Sequence, residues 1–146
     1  MSTFTIAKTV LRDMQCLQKA LKNLGFKTEE LEYSHEAKAL YGYQGDARDQ
    51  KANLIIRRQH VGSSSNDIGF EKQKDGTIVA HISEYDRGAA GRKGFNYGDK
   101  FIDKLSQQYA LEKVREECEI SGFLVDEVTV DEDGWIEIEA ENYVGF

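Results

Sequence analysis

Apolar positions in this chain recur at two different periods, and the changes between them mark out its elements. Met14, Leu17, Leu21 and Leu24 follow one another at gaps of three, four and three residues, which places all four on one stripe of an α-helix. Asp13 stands where an N-cap belongs, so that its carboxylate can accept a bond from a free amide of the first turn. Gly25 is the expected left-handed stop, with Phe26 folding back on Leu21. Residues 99–123 predict the longest helix. Its apolar side carries Phe101, Ile102, Leu105, Tyr109, Val114 and Cys118, Asp99 is its expected cap, and Gly122-Phe123 repeats the earlier stop.

Between and around the helices the period falls toward two. Residues 3–10 predict a strand, as do 39–45 and 52–61, the last centred on Leu54, Ile55 and Ile56. Residues 27–38 are heavily charged and suggest only a short strand around Leu31 and Tyr33. Residues 61–66, VGSSSN, are a small-residue loop. Residues 67–73 and 77–84 flank Asp75-Gly76, a strong hairpin signal. Ile68, Phe70, Ile78, Ala80 and Ile82 are expected on its buried face. Residues 124–130 and 135–143 flank a second acidic turn, and along the last strand Ile136, Ile138 and Ala140 alternate with Glu137, Glu139 and Glu141. Two helices are too few to cover both faces of a sheet. The expected fold is therefore α+β, an antiparallel sheet with both helices packed on one face, ferredoxin-like or related, in a single domain of 146 residues.

Composition narrows the function without choosing one. Hydrophobic residues at 40% and charged residues at 31% are those of a globular chain with a real core. No apolar run approaches the ~20 residues of a membrane helix, and no secretory signal opens the sequence. A cytoplasmic setting without membrane insertion is expected. Residues 1–60 carry 10 Lys+Arg against 7 Asp+Glu, or +3, and residues 61–146 carry 9 against 19, or −10. Such an acidic balance disfavours nucleic acid as a partner. With no proline in the chain, every sharp turn rests on Gly, Asn, Asp and Ser.

A series of segments, MSTFTIAKT, QCLQKALKNLGF, YGYQGD with KANLII, DIGFE with DGT, QQYAL and EDGWIEI, resembles the hypothetical chloroplast reading frame thirty-five family of cyanobacteria and algal plastids. The resemblance spans nearly the whole chain and lies in the order and spacing of the series, not in any one motif. That family has no assigned function, so the resemblance implies a fold and a cyanobacterial or plastid compartment, and no catalytic residue carries over. Where its members have a tryptophan-bearing segment after the central hairpin, this chain has residues 87–98.

Candidate chemistry is sparse. His35, His60, His81, Cys16 and Cys118 show no metal-ligand spacing, and neither a metal nor a cofactor is expected. Cys118 reads as a buried, inert thiol on the apolar side of its helix, and Cys16, off the leucine stripe, as partly exposed. No nucleophile stands in a recognisable catalytic signature. Tyr41, Tyr43, Phe95, Tyr97 and Tyr109 read as core or strand-edge aromatics more readily than as a stacking platform. Two surfaces remain. The row Glu137, Glu139 and Glu141 is a candidate contact for a basic protein partner. The loop residues Arg87, Gly88, Gly91, Arg92, Lys93 and Gly94, just before the long helix, combine glycine amides with fixed cations and form a candidate anion or nucleotide site. A non-catalytic accessory or regulatory protein that binds another macromolecule is the leading expectation, and an anion- or nucleotide-binding domain the alternative.

Overall fold

The structure, a computed structural model, describes residues 10–130 and 136–142. Its first helix, α1, spans Met14–Asn23. Asp13 caps it as expected, accepting from the backbone amides of Gln15 at 2.9 Å and Cys16 at 3.2 Å. At the other end Phe26 N donates to Leu21 O at 3.2 Å and Gly25 N to Lys22 O at 3.0 Å, around a Gly25 φ of 107°. These are the two bonds of a Schellman ending.

Strands β1, Glu32–Tyr41, β2, Ala47–Ile56, β3, Ile68–Lys72, and β4, Ile78–His81, form one sheet in consecutive order. Every neighbouring pair is antiparallel. Short helices α2, Arg58–Val61, and α3, Glu84–Gly88, follow β2 and β4. The long helix α4 spans Asp99–Ile120, and β5, Phe123–Val130, pairs with β6, Ile136–Asn142, in a separate hairpin. The fold is thus α+β with an antiparallel sheet. Its four strands run as a meander, the related plan rather than the interleaved ferredoxin-like one. The strand expected at residues 3–10 lies, but for residue 10, outside the described residues, as does the acidic turn at 131–134.

Both long helices lie on one face of the sheet. Leu17 and Leu21 of α1, Leu54 and Ile56 of β2, Ile68 and Phe70 of β3, and Phe101, Leu105 and Tyr109 of α4 belong to a single buried cluster. Leu40, Ala52 and Ile55 form a smaller cluster, and strand alternation puts Ile55 on the opposite face from Leu54 and Ile56. The sheet closes here only because residue 69 is glycine. A Cβ on Gly69 would come within 2.5 Å of Ala52 Cβ and 2.8 Å of Leu40 Cδ2. The helices are also pinned to each other, since the Tyr109 hydroxyl accepts from Arg12 N at 2.9 Å and Asp13 N at 2.8 Å.

Several boundaries differ from the sequence expectation, each for a local reason. Asp99 is the first helical residue and its side chain is 97% exposed. The cap is Gly98, whose carbonyl accepts from Ile102 N at 3.1 Å. β2 stops at Ile56 because Arg57 turns toward Glu32 and Asp67, and Asp67 Oδ1 takes the Arg58 amide at 2.7 Å. β4 stops at His81 because Ser83 caps α3, accepting from Asp86 N at 3.2 Å. Ile68, Phe70 and Ile78 are buried as expected, Ile82 packs against the core, and Ala80 is exposed on the edge strand.

Candidate functional site

A cleft of about 740 Å³ lies where three connections meet. The β1–β2 turn supplies Gly42, Tyr43, Gln44, Asp46 and Arg48, the serine loop supplies Ser64 and Asn66, and the start of α3 supplies Ser83, Glu84 and Tyr85. The turn is tight. Gly42 N donates to Asp46 O at 2.8 Å, and Gly45 has a φ of 82°. Tyr43 and Tyr85 are each 54% exposed, and neither ring stacks on another aromatic among the described residues.

Beneath the cleft lies a buried polar network. Asp86, 1% exposed, accepts from Asn66 N at 3.0 Å, Asn66 Nδ2 at 3.3 Å and the Ser83 hydroxyl at 2.8 Å. Asn66 in turn donates to Ser83 Oγ and accepts the Tyr43 amide at 3.0 Å. One side chain therefore joins all three connections. Next to it Asp67, 2% exposed, accepts from Tyr41 N and Arg57 Nη1, both at 2.8 Å. Arg57 reaches on to Glu32 at 2.6 Å and lies 5.7 Å from the centre of the Tyr41 ring. Asp67 accepts at both oxygens, whereas the three bonds to the Asp86 carboxylate all end on Oδ2, and together they tie the three connections to one another. The network forms a hydrogen-bonded floor, and the walls add the polar groups of Gln44, Ser64 and Glu84.

The family model described as a protein of unknown function, DUF1257, matches residues 20–138. The chain belongs to the DUF1257 family. No curated protein and no solved structure matches it. The region matched to DUF1257 contains every residue of the cleft and of the network beneath it.

The residues singled out from the sequence of this DUF1257 member are placed differently from one another. Arg87 and Gly88 close α3, while Gly91 to Gly94 fold into a turn of their own. There the backbone amides are already used: Gly91 N donates to Phe95 O at 3.0 Å, Arg92 N to Val61 O at 2.7 Å and Gly94 N to Gly91 O at 3.0 Å. Lys93 pairs with Glu30 at 2.9 Å and lies over the Phe26 ring, and Arg87 sits 3.8 Å from Asp99. The six residues are thus split between the end of α3 and a separate turn, and the amides of Gly91, Arg92 and Gly94 are bound within the protein. Positions 137, 139 and 141 alternate along β6, and Glu139 is exposed. The side chains of Glu137 and Glu141 lie outside the described residues.

The two cysteines exchange roles. Cys16 is fully buried and Cys118 is half-buried, because α4 covers the flank of α1 that the leucine stripe left open. Burial, together with a bond from Cys16 Sγ to Glu116 at 3.3 Å, pushes the Cys16 thiol up to about 12. Ligand atoms of Asp13, Cys16 and Glu116 lie within 4.8 Å of one another. Lys113 Nζ is 3.4 Å from Asp13 and 3.7 Å from Glu116, so an ammonium already supplies the positive charge there. His60 faces Glu30, His81 faces Glu71, and His35 is exposed, so the histidines do not converge. The cleft itself was not foreseen. Its one local signal is the Ser83-x-x-Asp86 capping spacing, and the rest depends on three connections meeting in space.

Proposed function

We propose that the protein is a non-catalytic accessory or regulatory protein that binds another macromolecule, and that the cleft walled by Tyr43 and Tyr85 is where it does so. The observation that carries this reading is two half-exposed tyrosines on a concave surface whose three connections are hydrogen-bonded to one another. Tyrosine gives large contact area for little lost side-chain entropy and is enriched at energetic centres of interfaces. Connections already bonded to one another leave less ordering to be done on binding. Asp46 and Glu84 outnumber Arg48 on the walls, and with the −10 balance of residues 61–146 they favour a partner surface with basic groups. Glu137, Glu139 and Glu141 add long-range attraction for such a partner. The resemblance to the plastid and cyanobacterial family supports a cyanobacterial cytosol or plastid stroma as the setting.

The test places a photo-crosslinking residue at Gln44 in the full-length chain and compares it with the same chain carrying Tyr43→Ala and Tyr85→Ala. One discrete crosslinked species in native extract, lost in the double variant, is expected. The same species at equal yield in the double variant would reject the cleft as the contact surface.

A further inference from the structure

A second concavity, of about 520 Å³, lies between the C-terminal end of α1 and the first turns of α4. Its volume is within the range that holds small molecules, roughly 300–1,000 Å³. Leu24, Phe95 and Phe101 make it apolar, and the aromatic wall is firm, with Phe95 stacked on Phe101 at 5.7 Å and tilted against Tyr97 at 5.2 Å. Lys100 and Lys104, one helical turn apart, line it as well. Both are exposed, and among the described residues neither has an ion-pair partner. No acidic residue lines the concavity.

This arrangement runs against the acidic balance of the later chain, to which both lysines belong. Residues 61–146 carry 19 acidic and 9 basic side chains, and the tyrosine cleft has two carboxylates and one guanidinium on its walls. A hollow with apolar walls, two asparagines, Asn23 and Asn96, and two lysines as its only charged lining residues therefore selects for a ligand of matching pattern. Its apolar body leaves water, and its charged end is met by two ammonium groups on flexible stems. We propose that this hollow binds a soluble single-chain anionic amphiphile, an apolar tail ending in a carboxylate or phosphate. The occupant is a free small molecule rather than a membrane, because the surface is concave and its cations sit beside the apolar walls instead of spreading over a flat basic face.

The experiment is isothermal titration calorimetry of the full-length protein with octanoate, decanoate and decyl phosphate, each below its micelle concentration. Decanol, decyltrimethylammonium and anionic phosphatidylglycerol vesicles are the comparison arms. Saturable one-to-one binding is expected, strengthening by about fourfold per added methylene. Lys100→Glu with Lys104→Glu should weaken decanoate by about tenfold or more, while Lys51→Glu with Lys74→Glu, the same change in net charge outside the hollow, should not. Phe95→Ala should weaken the carboxylate and the phosphate alike, and circular dichroism confirms that each variant is folded. A stronger response to decanoate than to decyl phosphate, or the reverse, identifies the head group. Equal binding of decyltrimethylammonium, indifference to the Lys100/Lys104 change, association with vesicles alone, or no saturable binding at millimolar ligand would each overturn the proposal.

Discussion

Asp67 and Asp86 are neighbours beneath the tyrosine cleft and almost equally buried, yet they are satisfied by opposite means. Asp67 faces a guanidinium, which it shares with Glu32. Asp86 is held by neutral donors, one backbone amide, one side-chain amide and one hydroxyl. The first arrangement secures the ends of strands β1 and β2, where a charge has to be balanced. The second secures loops, where many small bonds from different segments fix a shape. The difference predicts that the charged partner is costly to remove and that each neutral partner is cheaper.

Arg57→Ala is expected to have the largest effect. It leaves Asp67 buried without its counter-charge, which costs about 3–5 kcal/mol for a fully buried pair. The lower end is expected here, because the Arg57 side chain is 21% exposed. Chemical denaturation measures it, and a loss below about 1 kcal/mol would erase the contrast between the two carboxylates. Leu21→Ala provides a scale from the core, at about 2–5 kcal/mol. A shift under half a kcal/mol there would place the leucine stripe outside the packing described. Ser83→Ala removes the α3 cap and one donor to Asp86, for about 1–2 kcal/mol. If it proved as damaging as Arg57→Ala, the neutral network would be as indispensable as the charged one.

The charged side of the comparison is also pH-dependent. Hydrogen bonds from the Arg57 guanidinium hold the Glu32 carboxyl below the usual glutamate range, against partial desolvation that acts the other way. The folded value is thus below the unfolded one. The resulting stabilisation is fully present above the unfolded value, about 4.3, and is lost as pH falls through the folded value. The stability gap between wild type and Glu32→Gln should shrink on going from about pH 6 to about pH 3. A constant gap would mean that this pair contributes nothing to the fold. Smallest of all should be Tyr43→Ala and Tyr85→Ala, each within about 0.5 kcal/mol, since these rings cover the floor without holding it. A larger loss from either would make that tyrosine part of the scaffold and weaken its assignment to binding.

Local physics was legible in the sequence, and convergence was not. The α1 stripe, the Asp13 cap and the Gly25-Phe26 ending each depend on residues within a few positions of one another, and all are present. So is the Asp75-Gly76 turn, where Gly76 has a φ of 88°. The misplaced end of β2 depends on a bond across a longer gap, Asp67 to Arg58, while the end of β4 rests on a cap of ordinary local spacing, Ser83 to Asp86, masked in the sequence by the run of strand-forming residues before it. The cysteines were misplaced because burial of Cys16 requires α4, which arrives a hundred residues later at Glu116. The cleft required three connections at once. Of its wall residues only Tyr43 stood out in the sequence, as an aromatic that a strand edge also explained.

The consecutive order of the four-stranded sheet bears on how the molecule assembles in time. Each strand pairs with the one just before it in the chain, so the sheet can grow by closing one short connection after another, and segments of about ten residues close in roughly 10–100 ns. The chain has no proline, so refolding contains no step that waits tens of seconds for an X–Pro bond to turn. The slow event is then the encounter of distant parts, Tyr109 meeting the amides of Arg12 and Asp13 across 97 and 96 residues. The hollow beside Lys100 and Lys104 needs that encounter, because one of its walls comes from α1. The tyrosine cleft is built from the sheet and its connections, and it is expected to form first.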